Sequence, residues 1–193
     1  SGTVWSQQAL LKSVTIAAVT EFGGSVAISG DTLAVGGSTG RVEVFTRSGS
    51  SWSRQAQLVG QFSEAVDTFG SSLALEGDTL VIGAEREGSA AAGVDGDQTN
   101  NDAPTSGAAY VFVRSGITWT QQAYLKATNP GSGDNFGSAV AISGDTVVVG
   151  APLEDSDGMG VGTNGLNDNT MTSGAAYVFV RTAGVWSPQA LLK

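Results

Sequence analysis

Short apolar runs punctuated by glycine set the pattern of this chain. In "FGSAVAISGDTVVVGAP" (136–152) two such runs flank a Gly-Asp pair, and the phrase recurs as "FGGSVAISGDTLAVGGS" (22–38) and "FGSSLALEGDTLVIGAE" (69–85). Runs this short, β-branched and closed by glycine, predict strands rather than helices. Gly30-Asp31, Gly77-Asp78 and Gly144-Asp145 predict two-residue hairpin turns between a first strand and a second. A third strand follows as "GRVEVFTR" (40–47) and as "GAAYVFVR" at 107–114 and 174–181. The fourth is "WSRQAQLV" (52–59), "WTQQAYLK" (119–126) and "WSPQALLK" (186–193).

The unit therefore repeats three times. Trp52, Trp119 and Trp186 are 67 residues apart, as are Phe69 and Phe136, whereas Trp5 to Trp52 and Phe22 to Phe69 are 47. The missing residues lie in one place: Gly83 to Gly107 and Gly150 to Gly174 span 24 positions, Gly36 to Gly40 only four. From each fourth strand to the next Phe-Gly is a constant ten residues.

Second strands such as "TVVVGA" (146–151) are apolar without alternation, which implies burial on both faces. Fourth strands mix polar and apolar residues. Four-stranded units with one wet edge describe the blades of a β-propeller, and an all-β chain with this fixed four-strand period fits that fold better than a sandwich. The expected organisation is one repeat array over 1–193: an extra outer strand at 3–12, blade 1 at 22–59, blade 2 at 69–126 and blade 3 at 136–193. Phe22, Phe69 and Phe136 are expected between adjacent blades, each followed by a glycine that permits close backbone approach. Ser138, Ala139 and Ala141 suit crowded ground near a central axis. Tyr110 with Phe112, and Tyr177 with Phe179, alternate so that each pair shares a sheet face. The tryptophans open the outer strands and would lid the blades.

Composition narrows the chemistry. The chain has no cysteine and no histidine, which removes thiolate chemistry, the commonest general base and the usual ligands of zinc, copper and iron. Oxygen ligands remain, and these suit calcium or magnesium. A formal charge of −9 argues against nucleic acid as a partner. No apolar run approaches the ~20 residues that span a bilayer. No basic-then-apolar leader opens the chain at Ser1, so a signal peptide is missing or already removed.

The phrase "FG…GDTVVVGAP", followed by "SGAAYVF" and "W…QA.L", resembles the FG-GAP repeats of integrin α-subunit propellers, closest to the bacterial type in secreted and surface proteins. The resemblance covers essentially the whole chain. It implies a propeller, an extracellular or cell-surface setting, and a role in adhesion or in binding a protein or glycan ligand. One feature departs from it. Integrin-type repeats often carry an Asp-x-Asp-x-Asp-Gly calcium loop between the first two strands, but here "SGDT" and "EGDT" are too short to wrap an ion. Asp31, Asp78 and Asp145 are therefore read as turn residues.

Two long loops between second and third strands are the places for function. They are "EREGSAAAGVDGDQTNNDAPTSG" (85–107) and "PLEDSDGMGVGTNGLNDNTMTSG" (152–174), far beyond the ~2–5 residues of an ordinary hairpin loop. Calcium is one reading. Asp95, Asp97, Asn100 and Asp102 in the first loop, and Asp155, Asp157, Asn164 and Asp168 in the second, are the candidate ligands. Oxygen-bearing side chains recur at matched positions: Asp97 with Asn164, Asn100 with Asn167, Asn101 with Asp168, and Asp102 with Asn169. The other reading is that Asp, Asn and Gly are simply what turns contain. An enzyme would need paired carboxylates, for which Glu87, Glu154, Asp155 and Asp157 are candidates in a carbohydrate-active propeller. A glycan-binding propeller without catalysis is a further alternative. No nucleophile elbow or phosphate loop occurs, and a non-enzymatic binding module is the expectation.

Rings usually have ~4–8 blades, so three blades plus one strand leave two faces to cover. Either the array continues in a longer chain, or two copies close a six-bladed ring. In the second case the duplicated outer strand would act as a clasp that replaces or displaces its equivalent.

Overall fold

A computed structural model describes Val4, residues 6–13, 21–37 and 40–162, Asn167, and residues 169–193. Among the described residues, twelve strands form three separate four-stranded antiparallel sheets, each in simple sequence order. Blade 1 holds β1 (Ser25–Ser29), β2 (Thr32–Gly36), β3 (Val42–Ser48) and β4 (Ser51–Leu58). Blade 2 holds β5 (Ser72–Glu76), β6 (Thr79–Ala84), β7 (Ala108–Ser115) and β8 (Thr118–Leu125). Blade 3 holds β9 (Ala139–Ser143), β10 (Thr146–Ala151), β11 (Ala175–Thr182) and β12 (Val185–Leu192). One 3₁₀ turn, Ala65–Asp67, is the helical element among the described residues. First strands of neighbouring blades lie against one another while fourth strands diverge, as in a propeller arc.

Local chemistry explains the hairpins. Ser29 pairs with Thr32, Glu76 with Thr79 and Ser143 with Thr146, leaving Gly-Asp as the two turn residues. The glycines sit at φ 56°, 55° and 56°, the left-handed first position of a two-residue turn. In each fourth strand one glutamine, at 55, 122 or 189, is the unpaired residue of a bulge: Val44 pairs with Ala56 and Phe45 with Arg54, and the other blades repeat this offset.

Two cores form between blades. The first packs Ala34, Val44 and Leu58 of blade 1 against Phe69, Ile82 and Tyr110 of blade 2. The second packs Val81, Val111 and Leu125 of blade 2 against Phe136, Val149 and Tyr177 of blade 3. Each blade thus has a leading face, carrying the Phe-Gly aromatic, and a trailing face that meets the next blade. Phe69 stands edge-on to Tyr110 and Phe112, and Phe136 to Tyr177 and Phe179. Close approach is literal at the joints. A Cβ on Gly83 would lie 2.0 Å from the Gly137 carbonyl oxygen, which accepts the Ser72 hydroxyl at 2.7 Å. The first joint repeats this with Gly36, Gly70 and Ser25.

The outer faces differ from the expectations. The strand expected at 3–12 does not form among its described residues: Val4 and residues 6–12 pair with no strand, and Thr3 and Trp5 lie outside the described residues. An outer strand needs a third strand beside it, and that neighbour would belong to a preceding blade. Burial on both faces holds for β6 but not for β10, whose residues alternate between buried and half-buried because no blade covers the trailing face of blade 3. Ala139 and Ala141 are exposed for the same reason. At the other end Val26 and Ile28 are 63% and 61% exposed, whereas their counterparts Leu73, Leu75, Val140 and Ile142 pack into the cores.

Candidate functional site

Both long loops are tied down by the same buried device. In blade 2 the Lys126 ammonium donates to Glu87 Oε2 at 2.8 Å and to Ser106 Oγ at 2.7 Å, and Ser106 Oγ donates to the Ser89 carbonyl at 3.0 Å. Ser89 N donates to Glu87 Oε1 at 3.0 Å, and the Ser89 hydroxyl meets the Tyr124 hydroxyl at 2.7 Å. In blade 3 Lys193 bonds Glu154 and Ser173, and Ser173 Oγ donates to the Ser156 carbonyl at 2.8 Å. All four charged groups are buried. Burial pulls the Lys126 ammonium below its usual pKa range, against the attraction of Glu87. The copies differ in two ways, the first being that Glu154 Oε1 accepts from the Asn129 side-chain amide at 2.9 Å where Glu87 Oε1 accepts the Ser89 amide. Leu191 also stands where Tyr124 would be, and the buried Ser156 hydroxyl has no hydrogen-bond partner among the described residues.

Each loop then runs back along its own outer strand. Val94 bridges Leu125 and Val161 bridges Leu192, with Lys126 N donating to the Gly93 carbonyl and Lys193 N to that of Gly160. The staple went unread in the sequence because its partners are 39 residues apart. A signal existed all the same: a lysine ends the fourth strand in both blades that have a long loop with Glu87 or Glu154, and Val59 stands there in the blade without one.

Several of the candidate calcium ligands accept hydrogen bonds from the chain itself. Asp95 Oδ1 accepts the Tyr124 amide at 2.8 Å. Asp97 Oδ1 accepts the Thr99 amide at 2.9 Å and its hydroxyl at 2.6 Å, which holds its carboxyl below the usual range. Asn100 Oδ1 accepts the Ala90 amide at 2.9 Å, and Asp102 is exposed. In blade 3 Asp155 Oδ1 accepts the Thr172 amide at 2.5 Å, and Asp157 accepts the side-chain amides of Asn167 and Asn169 at 2.9 and 3.0 Å. Asn164 and Asp168 lie outside the described residues. No three acidic side chains converge on a metal-sized space among the described residues.

Of the acid–base candidates, Glu87 and Glu154 are the stapled carboxylates, and Asp155 and Asp157 are those just described. The turn aspartates do more than turn. Asp31, Asp78 and Asp145 accept from the Nε of Arg47, Arg114 and Arg181 at 2.6–2.7 Å, and each guanidinium lies over the tryptophan of its own fourth strand at 5.0–5.4 Å. These groups also bolt blades together. Arg114 Nη1 donates to Thr32 Oγ1 at 2.9 Å, and Trp119 Nε1 donates to Gln55 Oε1 and Trp186 Nε1 to Gln122 Oε1, both at 2.8 Å.

Concave surface collects where blade 1 lacks its loop. One cavity of about 370 Å³ is lined by Glu21, Gly24, Gly37, Thr68, Glu85 and Arg86. A second of about 360 Å³ is lined by Val66, Asp67, Arg86, Gly88, Asn101 and Pro104. Arg86 is exposed and belongs to both. Asp67 is buried beside them, and desolvation raises its carboxyl above the usual range despite the Glu64 amide it accepts at 2.6 Å.

The solved structure of Saccharomyces cerevisiae Sqt1 is similar with a TM-score of 0.50 at 11% identity, over 90% of this chain and 36% of that one. A Saccharomyces cerevisiae complex of a Dbp5 variant with Nup159, a Gle1 variant, IP6 and ADP gives a TM-score of 0.45 at 10% identity, over 86% of this chain and 35% of that one. The chain thus spans little more than a third of the length of either, and the first likeness speaks for the fold alone. No curated protein matches the chain. The FG-GAP repeat model matches residues 5–50, 52–112 and 119–179, the last two each running from the fourth strand of one blade into the third strand of the next, and the chain belongs to the FG-GAP repeat family.

Proposed function

We propose that this propeller arc is a non-enzymatic binding module that acts in adhesion or ligand recognition outside the cell or at its surface. Its ring is closed by a second copy. One observation carries the binding reading: two cavities meet at the exposed Arg86, beside a loop that the Lys126–Glu87 staple holds rigid. A rigid scaffold that presents polar loop side chains beside a concavity is a common design for recognition. The family match supports the extracellular setting. No helix among the described residues is long and apolar enough to cross a membrane.

The carbohydrate-active alternative has less support, because its best carboxylates, Glu87 and Glu154, are buried against lysine. The test is binding of the labelled 193-residue chain to arrays of extracellular proteins and glycans, with calcium and with chelator. Arg86→Ala should lower the binding at least tenfold while leaving the unfolding temperature unchanged. Undiminished binding by Arg86→Ala would move the site elsewhere, and hydrolysis of an arrayed glycan would revive the enzyme.

A further inference from the structure

The two ends of the arc carry the two halves of one joint. Inside the chain each joint uses an arginine that donates to a threonine of the preceding blade: Arg114 to Thr32 and Arg181 to Thr79. A tryptophan likewise donates to the preceding bulge glutamine: Trp119 to Gln55 and Trp186 to Gln122. A turn amide donates to the end of the preceding first strand: Gly77 to Ser29 and Gly144 to Glu76. By the repeat, blade 1 presents Arg47, Trp52 and the Gly30 amide, and blade 3 presents Thr146, Gln189 and Ser143. The apolar surfaces match as well. Val148, Ala176, Val178, Ala190 and Leu192 on the trailing face of blade 3 are half-buried, while their blade 2 counterparts are fully covered.

The place on blade 1 is already taken. Trp52 Nε1 donates to Gln8 Oε1 at 2.9 Å, and Gln8 occupies the repeat position of Gln55, Gln122 and Gln189. Ser13 Oγ donates to the buried Glu43 at 2.5 Å. Residues 6–13 thus stand where the outer strand of a preceding blade would stand. Their hold is weaker, for they make no strand ladder, and Lys12 is exposed where Lys126 and Lys193 are buried against glutamate. β12, by contrast, is paired with β11 at every residue but the bulge Gln189.

We infer that the trailing face of blade 3 docks on the leading face of blade 1 of a second copy, and that residues 6–13 are a removable cap competing with the second copy's Gln189 for Trp52. The inference rests on the self-association reading and adds the surface and its regulation. Of the two claimants the segment yields, because it forfeits fewer hydrogen bonds than β12 would. The joint is also weaker than the internal ones. Blade 1 has Glu43 and Gln57 where blade 2 has Tyr110 and Tyr124, and blade 3 has Ala139 where Ser25 and Ser72 donate across the other joints. Closure is therefore reversible.

Sedimentation and light scattering of the 193-residue chain across concentration provide the test. The chain should pass reversibly from its 19.4 kDa mass to twice that. A two-fold ring has two such joints, so Gln189→Ala should weaken the dimer about tenfold. Gln8→Ala and deletion of residues 1–13 should both tighten it. Gln8 is an exposed side chain, so its variant remains informative if the deletion impairs folding. A dimer that Gln8→Ala loosens, or that Gln189→Ala leaves intact, overturns the cap and leaves self-association standing. Monomers throughout, in every variant, overturn both.

Discussion

Single residues in this chain act mostly through partners far away in sequence. Lys126 is the clearest case. Removing it leaves Glu87 charged and buried, so Lys126→Met should cost about 3–5 kcal/mol, measured by urea unfolding. The double change with Glu87→Gln should recover much of that loss. Asp67 gives a pH signature. Its folded carboxyl is raised above the unfolded value of ~4, so its favourable contribution is complete below that pH and is lost as pH rises through the folded value. Asp67→Asn, which keeps an acceptor for the Glu64 amide, should therefore gain stability relative to the parent as pH rises from about 4 to 7. Thermal melts of both proteins at the two ends of that window check it. Sequence alone cannot say which carboxylates are spent in this way. Glu87 reads as an acid–base candidate and Asp97 as a calcium ligand in the sequence, and the structure adds the Lys126 and Thr99 groups that each accepts from.

At the level of elements, legibility was high wherever the repeat itself carried the information. The Gly-Asp hairpins, the four-strand order and the paired aromatics of β7 and β11 follow from turn chemistry and alternation. The failures share a cause, which is that they depend on neighbours. Residues 6–12 spell an outer strand but lack a third strand to pair with, and β10 spells a doubly buried strand but is covered on one side. Joint glycines make this contrast measurable. Gly83→Ala would press a Cβ into the Gly137 carbonyl and should destabilise the fold by about 1–3 kcal/mol. Gly150→Ala has Ala139 Cβ at 3.5 Å as its nearest neighbour and should be tolerated within about 0.5 kcal/mol in the monomer. Chemical unfolding of the two variants at low protein concentration separates these outcomes. The same comparison at high concentration asks whether position 150 becomes a joint.

As a whole the described blades form an arc whose two end faces differ, and the charge bears on the proposed joint between copies. Each copy carries a formal −9, so two copies repel one another while their apolar faces attract. Dimer formation should strengthen as ionic strength rises from about 10 to 150 mM, because screening weakens the repulsion and leaves the apolar contact intact. Sedimentation at the two salt concentrations checks the sign. Weaker association at the higher salt would mean that the Arg47, Glu43 and Arg54 charges of blade 1 dominate the contact.

The constant ten residues from each fourth strand to the next Phe-Gly have a further consequence. That connector is long enough to lead from one blade into the next wherever it occurs in this chain. Two copies fused in tandem, with residues 60–68 repeated between Lys193 and Phe22 of the second copy, would hold the two halves of the joint at an effective concentration on the order of millimolar. Closure would then no longer depend on dilution. An equilibrium between molecules would become a property of one chain, and the strength of the joint could be read as a unimolecular opening constant.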